Sequence, residues 1–418
     1  MTTRTIVPAT YALAAATVAT GAANHAVTGL MPALVDDLHL SIAIVGQLST
    51  AFGLASGLAA PIIGILTAHW SRRRVLLAGL LLTVAGNAVA AVAPGFGLLI
   101  AARILAGLGS AAAMAAALGQ AAELNAPERR ARAMAVVIGG LTLALAIAPP
   151  LAALAAAHHG PAPVFAALTA LAVLALAVAR TVLPEQAPDA APVPFAGHLR
   201  AITLPGIRPV LAAKFLMATA AFMVQTYLTN LVSSYSPVHI LAAYGAGAIL
   251  GTRLGGRAAD RHGPRTAASA AITLQALTLA AWPLTAHTAA AVTLPFAAGL
   301  AFWSAQPAYV RQLADAARDQ APAVLAIDSG VMFAGIAAGG LTGAAQPVET
   351  FAVSLPVSGV VLSVVAFGCL YLRGPRDRRT HGDQGRRAEE PGKKVRKTPR
   401  VLERVAFSGR KNAIERSP

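Results

Sequence analysis

The chain has 418 residues, of which 56% are hydrophobic and 12% are charged, about half the charged share usual in soluble globular domains. This composition excludes an ordinary soluble enzyme and fits twelve membrane helices of about 20 residues each. The formal net charge is +16, but the segment after Arg373 holds 14 Lys/Arg against 6 Asp/Glu, so a tail carries +8 of it and nucleic-acid binding is not indicated.

Twelve apolar stretches of membrane-spanning length follow one another along the chain. The first is predicted to be a retained helix and not a cleaved signal, because it exceeds a signal-peptide core and eleven spans follow it. The spans are predicted at 9–30, 41–68, 74–93, 97–121, 132–156, 162–182, 209–231, 237–256, 266–285, 289–310, 323–345 and 352–372.

These spans predict an all-α membrane protein with twelve transmembrane helices in two pseudo-symmetric six-helix bundles. The bundles are expected at 1–182 and 206–373, joined by a proline-containing cytoplasmic linker at 183–205. The segment 374–418 is polar and basic, and we expect a disordered cytoplasmic tail there.

Every second loop between the spans is basic. Arginines 72–74 lie between spans two and three, arginines 129, 130 and 132 between four and five, and arginines 257, 261 and 265 between eight and nine. The positive-inside rule then predicts that both termini are cytoplasmic. High Ala, Gly and Arg usage points to a GC-rich bacterial genome, so the expected location is a bacterial inner membrane.

One loop sequence recurs with an offset of 192 residues. The segment that begins at Gly64 reads GILTAHWSRR, and the one that begins at Gly256 reads GRAADRHGPR. Recurrence of this kind predicts two related halves, as in transporters built from structural repeats.

On these residues the chain resembles the major facilitator superfamily, specifically its twelve-helix drug/proton antiporters of the arabinose-efflux and chloramphenicol-resistance type, over residues 5–373. The family's signature in this loop is G-x-L-x-D-R-x-G-R-K. Ala68 and Ser71 depart from it in the first copy, which puts a charge latch on that side in doubt. The matching residues are Gly64, Leu66, Arg72 and Arg73 in the first copy and Gly256, Asp260, Arg261, Gly263 and Arg265 in the second.

Spans four and five carry further matches to the resemblance. In span four these are Arg103, Gly107 and Gly109, and in span five Gly139, Gly140 and Pro150, although Ala148 and Ala152 stand where glycines are usual. Small residues let helices approach closely and a proline can bend a helix. Generic helix packing explains any single glycine equally well.

Asp328 is the one carboxylate that the predicted topology sets inside an apolar span, where the resemblance implies an asparagine. An ionisable group in the bilayer core is a functional candidate. Many relatives carry acidic proton carriers in span one, whereas this chain has Asn24 and His25 there. We therefore expect Asp328 to load and release a proton, with His25 as a second candidate. Alternatively, Asp328 lies near the cytoplasmic helix end and is reached by water or an arginine.

Arg103 lies about 12 Å from Asp328 in predicted depth, so we expect it to meet carbonyls, polar side chains, water or an anionic substrate. Asn24 and His25 are level with Arg103 and could line the substrate cavity, and His25 could instead be a packed interhelical residue. More candidates lie in the second half, each of which could also be a helix–helix contact: Gln225, Tyr227, Asn230, Trp303 and Gln306.

The leading hypothesis is export of a small organic compound, a drug or a metabolite, in exchange for protons by alternating access. Uptake or facilitated diffusion of a nutrient is the alternative, and a non-transporting membrane sensor ranks third. We expect no enzymatic activity, no cofactor beyond the proton gradient and no metal site. The expected partners are the small molecule, protons and membrane lipid, with no nucleic acid, and the protein is expected to be a monomer.

Overall fold

Twelve long helices form the described part of the chain in a computed structural model, which describes residues 6–67, 69–185, 202–204, 206–232, 235–317 and 320–371. The first half contains α1 (Ala9–Leu38), α2 (Gln47–Leu66), α3 (Arg72–Ala91), α4 (Phe96–Leu124), α5 (Arg130–His159) and α6 (Pro161–Val182). The second contains α7 (Ile207–Thr226), α8 (Pro237–His262), α9 (Pro264–Ala280), α10 (Thr288–Ala317), α11 (Ala321–Ala344) and α12 (Phe351–Tyr371).

The helices confirm the all-α class, and the twelve long helices of the described residues correspond in order to the twelve predicted spans. Among the described residues, nine stretches are long and apolar enough to cross a membrane by these two criteria. The remaining long helices are α1, α8 and α9: α8 carries Arg253, Arg257, Asp260 and Arg261, and α9 has only 17 residues. The predicted tail and most of the predicted linker lie outside the described residues.

The two halves repeat each other helix by helix. In the first half α1 packs on α4, α5 and α6, and α4 packs on α2 and α3. In the second half α7 packs on α10, α11 and α12, and α10 packs on α8 and α9, which is the same set of pairings six helices later. The pairing pattern agrees with the recurring loop sequence.

The halves meet along two seams, α2 with α11 and α5 with α8. In the α2–α11 seam, Gly53 faces the Ile336 Cγ2 atom and the Phe333 carbonyl. Gly57 faces the Phe333 Cβ atom, and Gly330 faces the Gly57 carbonyl. In the α5–α8 seam, Gly245 lies against the backbone of Ala146. Glycine at these positions lets the backbones approach more closely than any side chain would allow.

Candidate functional site

A buried ion pair joins α7 to α11. The Lys214 ammonium donates to Asp328 Oδ1 at 2.6 Å, and the two side chains are only 3% and 6% exposed. Both residues lie seven positions after the first residue of their helix, roughly 10 Å along the axis, so they are level in depth. The partner of Asp328 is thus Lys214, a residue that was not among the predicted candidates.

Sequence reasoning missed Lys214 although one signal points to it. It is the only lysine before residue 393 and lies inside the predicted seventh span. A single cation in an apolar span needs an anion nearby. Applied to Lys214 and Asp328, that rule makes each residue a candidate partner of the other, although it does not by itself join them.

Arg103 on α4 is almost fully buried in the first half. Its Nη1 donates to the Ala23 carbonyl of α1 at 2.7 Å, and its guanidinium carbon lies 4.5 Å from the centre of the Phe52 ring. Its Nε and Nη2 have no hydrogen-bond partner among the described residues. These two N–H groups of Arg103 can therefore donate to an acceptor that a substrate or a water would supply.

Asn24 and His25 directly follow Ala23, whose carbonyl accepts a hydrogen bond from Arg103. His25 is buried and close enough to Arg103 for their charges to interact, and Asn24 is half-buried. The structure thus brings together three residues that the sequence placed at one depth. The Lys214–Asp328 pair belongs to the other half.

Among the described residues, the candidates of the second half have different surroundings. Gln225 accepts a hydrogen bond from the Tyr244 hydroxyl at 3.2 Å and lines a cavity of about 10 Å³, enough for one water. Trp303 is buried, Gln306 bonds the Phe302 carbonyl of its own helix at 3.3 Å, and Asn230 is exposed.

Tyr227 contributes to the contact between the halves. Its hydroxyl donates to the Gly340 carbonyl of α11 at 3.0 Å. A Cβ at Gly46, in the first half, would come within 2.6 Å of the Tyr227 hydroxyl oxygen. The ring also packs on Phe351, with 5.0 Å between ring centres. The side chain therefore closes the α2–α11 seam at the end where α1 joins α2.

The first loop motif holds α3 against α4 and α6. Arg72 forms an ion pair with Glu123 at the end of α4, and Arg73 donates to the Arg180 carbonyl of α6 at 2.7 Å. Ser71 replaces the motif glycine and caps α3 by accepting from the Arg74 amide at 3.3 Å. Ala68 is outside the described residues.

The second loop motif makes an equivalent set of contacts, in which Arg265 corresponds to Arg73 and only the ion pair uses different residues. Asp260 pairs with Arg311 of α10, and Arg265 donates to the Leu370 carbonyl of α12. Gly263 adopts φ 84°, a conformation that only glycine takes without strain, at the one-residue turn between α8 and α9. Arg261 stands in the last turn of α8, where a cation complements the helix dipole.

The glycine matches of spans four and five have different outcomes. A Cβ at Gly107 would meet the Phe52 carbonyl at 2.7 Å, and side chains at Gly109 and Gly140 would overlap Gly79 and Thr17. These three glycines do permit close helix approach. The prediction that Gly139 permits close helix approach is wrong, because no atom lies within 4 Å of a Cβ built there. A Cβ at Gly256 likewise has no neighbour within 4 Å.

Pro150 and the neighbouring Pro149 lie inside α5, which remains one helix from Arg130 to His159. The Pro149 carbonyl, one of the backbone atoms nearest to α1, faces Gly29, where a Cβ would overlap it. The proline pair thus lies where α1 and α5 approach most closely. This contact belongs to the packing of the first half.

A vestibule of about 760 Å³ lies between the end of α1, the end of α5 and the start of α8. Asp36 and Asp37 are its charged lining residues, and Ser236 and Val238 contribute from the second half. The volume is within the range of small-molecule sites. The vestibule opens on the side of the molecule opposite to the two loop motifs.

A family model described as Major Facilitator Superfamily matches residues 13–340 and 239–411 of the chain. The chain is also similar to several bacterial proteins. It is 27% identical over 336 residues to the uncharacterized MFS-type transporter YbcL of Bacillus subtilis (strain 168), covering 79% of this chain and 86% of that protein.

Two further relatives carry names that include a compound. The chain is 30% identical over 302 residues to the chloramphenicol resistance protein of Streptomyces lividans, covering 69% of this chain and 76% of that protein. It is 27% identical over 358 residues to a chloramphenicol efflux pump of Mycobacterium tuberculosis (strain CDC 1551 / Oshkosh), covering 81% and 86%.

Solved structures share the fold at low sequence identity. A bacterial homolog of the human lysosomal transporter Spinster superposes with a TM-score of 0.70 at 15% identity, covering 87% of this chain and 95% of that one. A peptide transporter, POT, superposes with a TM-score of 0.71 at 13% identity, covering 86% and 93%.

Proposed function

Since the chain belongs to the Major Facilitator Superfamily and is therefore a multi-pass membrane transporter and not an enzyme, we propose that it exports a small organic compound from a bacterial cell in exchange for protons. The direction of transport is supported by the relatives named for chloramphenicol resistance and efflux. Chloramphenicol is accordingly the first compound to test.

The Lys214–Asp328 pair is the observation that carries the proposed proton coupling. Protonation of Asp328 would leave the Lys214 ammonium unpaired in a dry interior, where breaking a buried pair costs about 3–5 kcal/mol. Proton uptake and separation of α7 from α11 would therefore occur together. A local protonation would in this way change the shape of the second half.

Arg103 is the proposed substrate anchor, with Asn24 and His25 beside it. Its unpartnered Nε and Nη2 can donate to a carbonyl, nitro or anionic oxygen of the substrate, while the Phe52 ring shields the opposite face of the guanidinium. A neutral His25 imidazole could orient the substrate or pass a proton. The anchor and the proposed proton site then belong to different halves, which must move relative to each other during transport.

The proposal is tested with the full-length protein in vesicles under an imposed proton gradient. We expect chloramphenicol to accelerate collapse of the gradient. Asp328→Asn should abolish this acceleration while exchange of labelled for unlabelled chloramphenicol continues. Asp315→Asn, which changes an exposed carboxylate at the end of α10, is the matched control and should behave as the unmodified protein. Unchanged coupling in Asp328→Asn would exclude Asp328 as the proton carrier.

Uptake or facilitated diffusion remains the second candidate, because α1 carries Asn24 and His25 in place of the acidic residues and Asp328 is tied to a lysine. The same vesicles distinguish the two functions. Net movement of the compound at an unchanged rate after the gradient is collapsed would favour facilitated diffusion. Movement that stops with the gradient would favour antiport.

Cytoplasmic placement of both termini is a further part of the proposal, since the arginine-rich loops lie on that side by the positive-inside rule. Gly95→Cys in a Cys369→Ala background reports on the opposite side, because position 95 has no neighbour within 4 Å of a Cβ. An impermeant thiol reagent should label intact cells carrying this variant. Labelling only after permeabilisation would reverse the orientation.

A further inference from the structure

A groove of about 470 Å³ runs between α5 and α6, with α1 as its floor. We call it the α5–α6 groove. The floor is formed by Val18, Ala22 and Ala26, the α5 wall by residues from Leu143 to His159, and the α6 wall by residues from Pro163 to Leu171. The groove forms because α5 and α6, although consecutive, contact each other much less than each contacts α1.

The chemistry of the lining is uniform along the groove. Alanine, leucine, isoleucine, valine and proline side chains make up the lining, and His159 at one end is the only polar side chain among the residues that form it. Such walls offer no hydrogen-bond partner to a polar compound along the length of the groove. The occupant must therefore be a flexible or extended hydrocarbon.

The open side of the groove shows which medium supplies this hydrocarbon. Leu143, Ile147, Leu151 and Leu154 of α5 are 45–58% exposed on this surface. In a transporter embedded in a bilayer, an exposed apolar face of a spanning helix contacts lipid acyl chains. The groove is a recess in that face, so an acyl chain can enter it from the side.

The polar end of the groove lies at the depth of lipid headgroups. His158 and His159 are the last residues of α5, both exposed, with 6.2 Å between ring centres, and Gly160 connects them directly to α6. An imidazole at the membrane interface can donate a hydrogen bond to a phosphate oxygen. A phospholipid with one chain in the groove would place its phosphate beside His159.

We propose that the α5–α6 groove binds one acyl chain of a phospholipid, from the leaflet in which α5 joins α6, with the lipid phosphate at His159. The floor helix α1 gives this site a connection to the substrate anchor. Ala22 and Ala26 face the groove, whereas the Ala23 carbonyl between them holds Arg103. A bound chain would therefore support α1 directly behind the residue that positions Arg103.

The test uses the full-length protein in vesicles that contain phosphatidylglycerol with a photoreactive group in the middle of one acyl chain. After illumination, labelled peptides are identified by mass spectrometry. We expect labelling to concentrate on Ile147, Leu151 and Ala167, and to exceed that on the exposed α12 residues Val357 and Val361 by about tenfold, which corresponds to a binding preference of about 1.4 kcal/mol. Equal labelling of the two surfaces would overturn the proposal.

Two variants on α6 separate the groove from ordinary lipid contact. Ala167 lines the groove and is exposed, so Ala167→Trp fills the groove without disturbing the core. In this variant, labelling of the groove residues should fall to the level seen on α12. Ala166→Trp, on the neighbouring exposed position outside the lining, is the matched control and should leave labelling unchanged. Unchanged labelling in Ala167→Trp would exclude the groove as the site.

Two further measurements test the headgroup and the identity of the occupant. His159→Ala, which has no side-chain donor, should reduce labelling of the groove about threefold, as expected for loss of one exposed polar contact. Chloramphenicol in excess should not displace the lipid label. Displacement by chloramphenicol would overturn the assignment to lipid and would identify the groove as a site for the transported compound, an outcome that leaves the proton coupling untouched.

Discussion

The two halves hold the same helix ends with one corresponding arginine, Arg73 or Arg265, and with an ion pair whose residues differ. At an offset of 192, Ala68 corresponds to Asp260, Gly119 to Arg311 and Glu123 to Asp315. In the second half, Arg311 reaches across from α10 to Asp260 of α8.

In the first half, neither member of that pair exists, and the Arg72 guanidinium occupies the space over Gly119 and pairs with Glu123. Arg72 corresponds to Pro264, so the cation has moved from the fourth helix of the half to the third. The comparison teaches that the repeat conserves the place of the contact more strictly than the residues that make it.

In the interiors of the halves, a glycine contact is repeated, whereas the buried charges differ. Gly107 packs on the Phe52 carbonyl and Gly299 on the Tyr244 carbonyl, and these two contacts correspond at the same offset. Arg103 in the first half, however, corresponds to Pro295 in the second. The first half therefore holds a buried cation without an ion-pair partner among the described residues, and the second holds the closed Lys214–Asp328 pair elsewhere.

The largest expected effect comes from opening the closed pair. Lys214→Gln leaves the Asp328 carboxylate buried without its cation, and we expect a loss of about 3–5 kcal/mol in the free energy of unfolding. The double variant Lys214→Gln with Asp328→Asn should recover most of the loss. Thermal unfolding of both variants in detergent measures the loss and its recovery. A double variant as unstable as the single one would show that the pair contributes by packing alone.

The next effect tests whether Gly119 makes room for Arg72. Gly119→Leu should displace the guanidinium from Glu123 and cost about 1–3 kcal/mol, as overpacking does elsewhere. Gly139→Leu, on the adjacent helix with nothing within 4 Å, is the control and should cost much less. Equal stability of the two variants would show that the contact of Arg72 with Glu123 does not depend on a glycine at position 119.

A smaller effect is expected from the two exposed ion pairs at the loop motifs. Asp260→Asn and Glu123→Gln should each lower stability by less than about 1 kcal/mol, because solvent screens both pairs. Unfolding at low and high salt checks this, since the difference from the unmodified protein should shrink as salt rises. A salt-independent loss in one half only would show that the two fastenings are not equivalent.

The smallest effect is a gain. Gly139→Ala puts a better helix former at an open position of α5 and should stabilise the protein by about 0.5–1 kcal/mol. Gly140→Ala, one residue on, would overlap Thr17 and should destabilise it. Opposite signs for these neighbours in thermal unfolding would confirm that only one of the two glycines is required by packing.

Much of the fold was predictable because each span is a local property of the chain. Twelve apolar stretches correspond to twelve helices, and the recurring loop identifies the two halves. The glycine of the second loop motif is likewise predictable, since Gly263 takes a conformation that its neighbours could not. Helix ends are less predictable: α10 continues to Ala317, beyond the predicted span, because its last turns are polar and lie past the apolar stretch.

The site was less predictable because its contacts join distant parts of the chain. Asp328 and Lys214 are separated by 114 residues, and a pattern within one span cannot connect them. Arg253 in the predicted eighth span is a second cation that the apolar pattern does not place. Gly139 was assigned to packing because a motif match does not tell which side of a helix faces a neighbour.

The glycine contacts of the α2–α11 seam bear on the speed of the transport cycle. Where Gly53 and Gly57 lie against the backbone of α11, no side chains on α2 interlock with the other half at these positions. Because glycine has no side chain, moving one half past the other requires no rotamer change at these two positions of α2, and each side chain not forced off its rotamer spares about 0.5–1.5 kcal/mol in the activation barrier. The seam thus lowers the resistance to exchange between access states without favouring either of them.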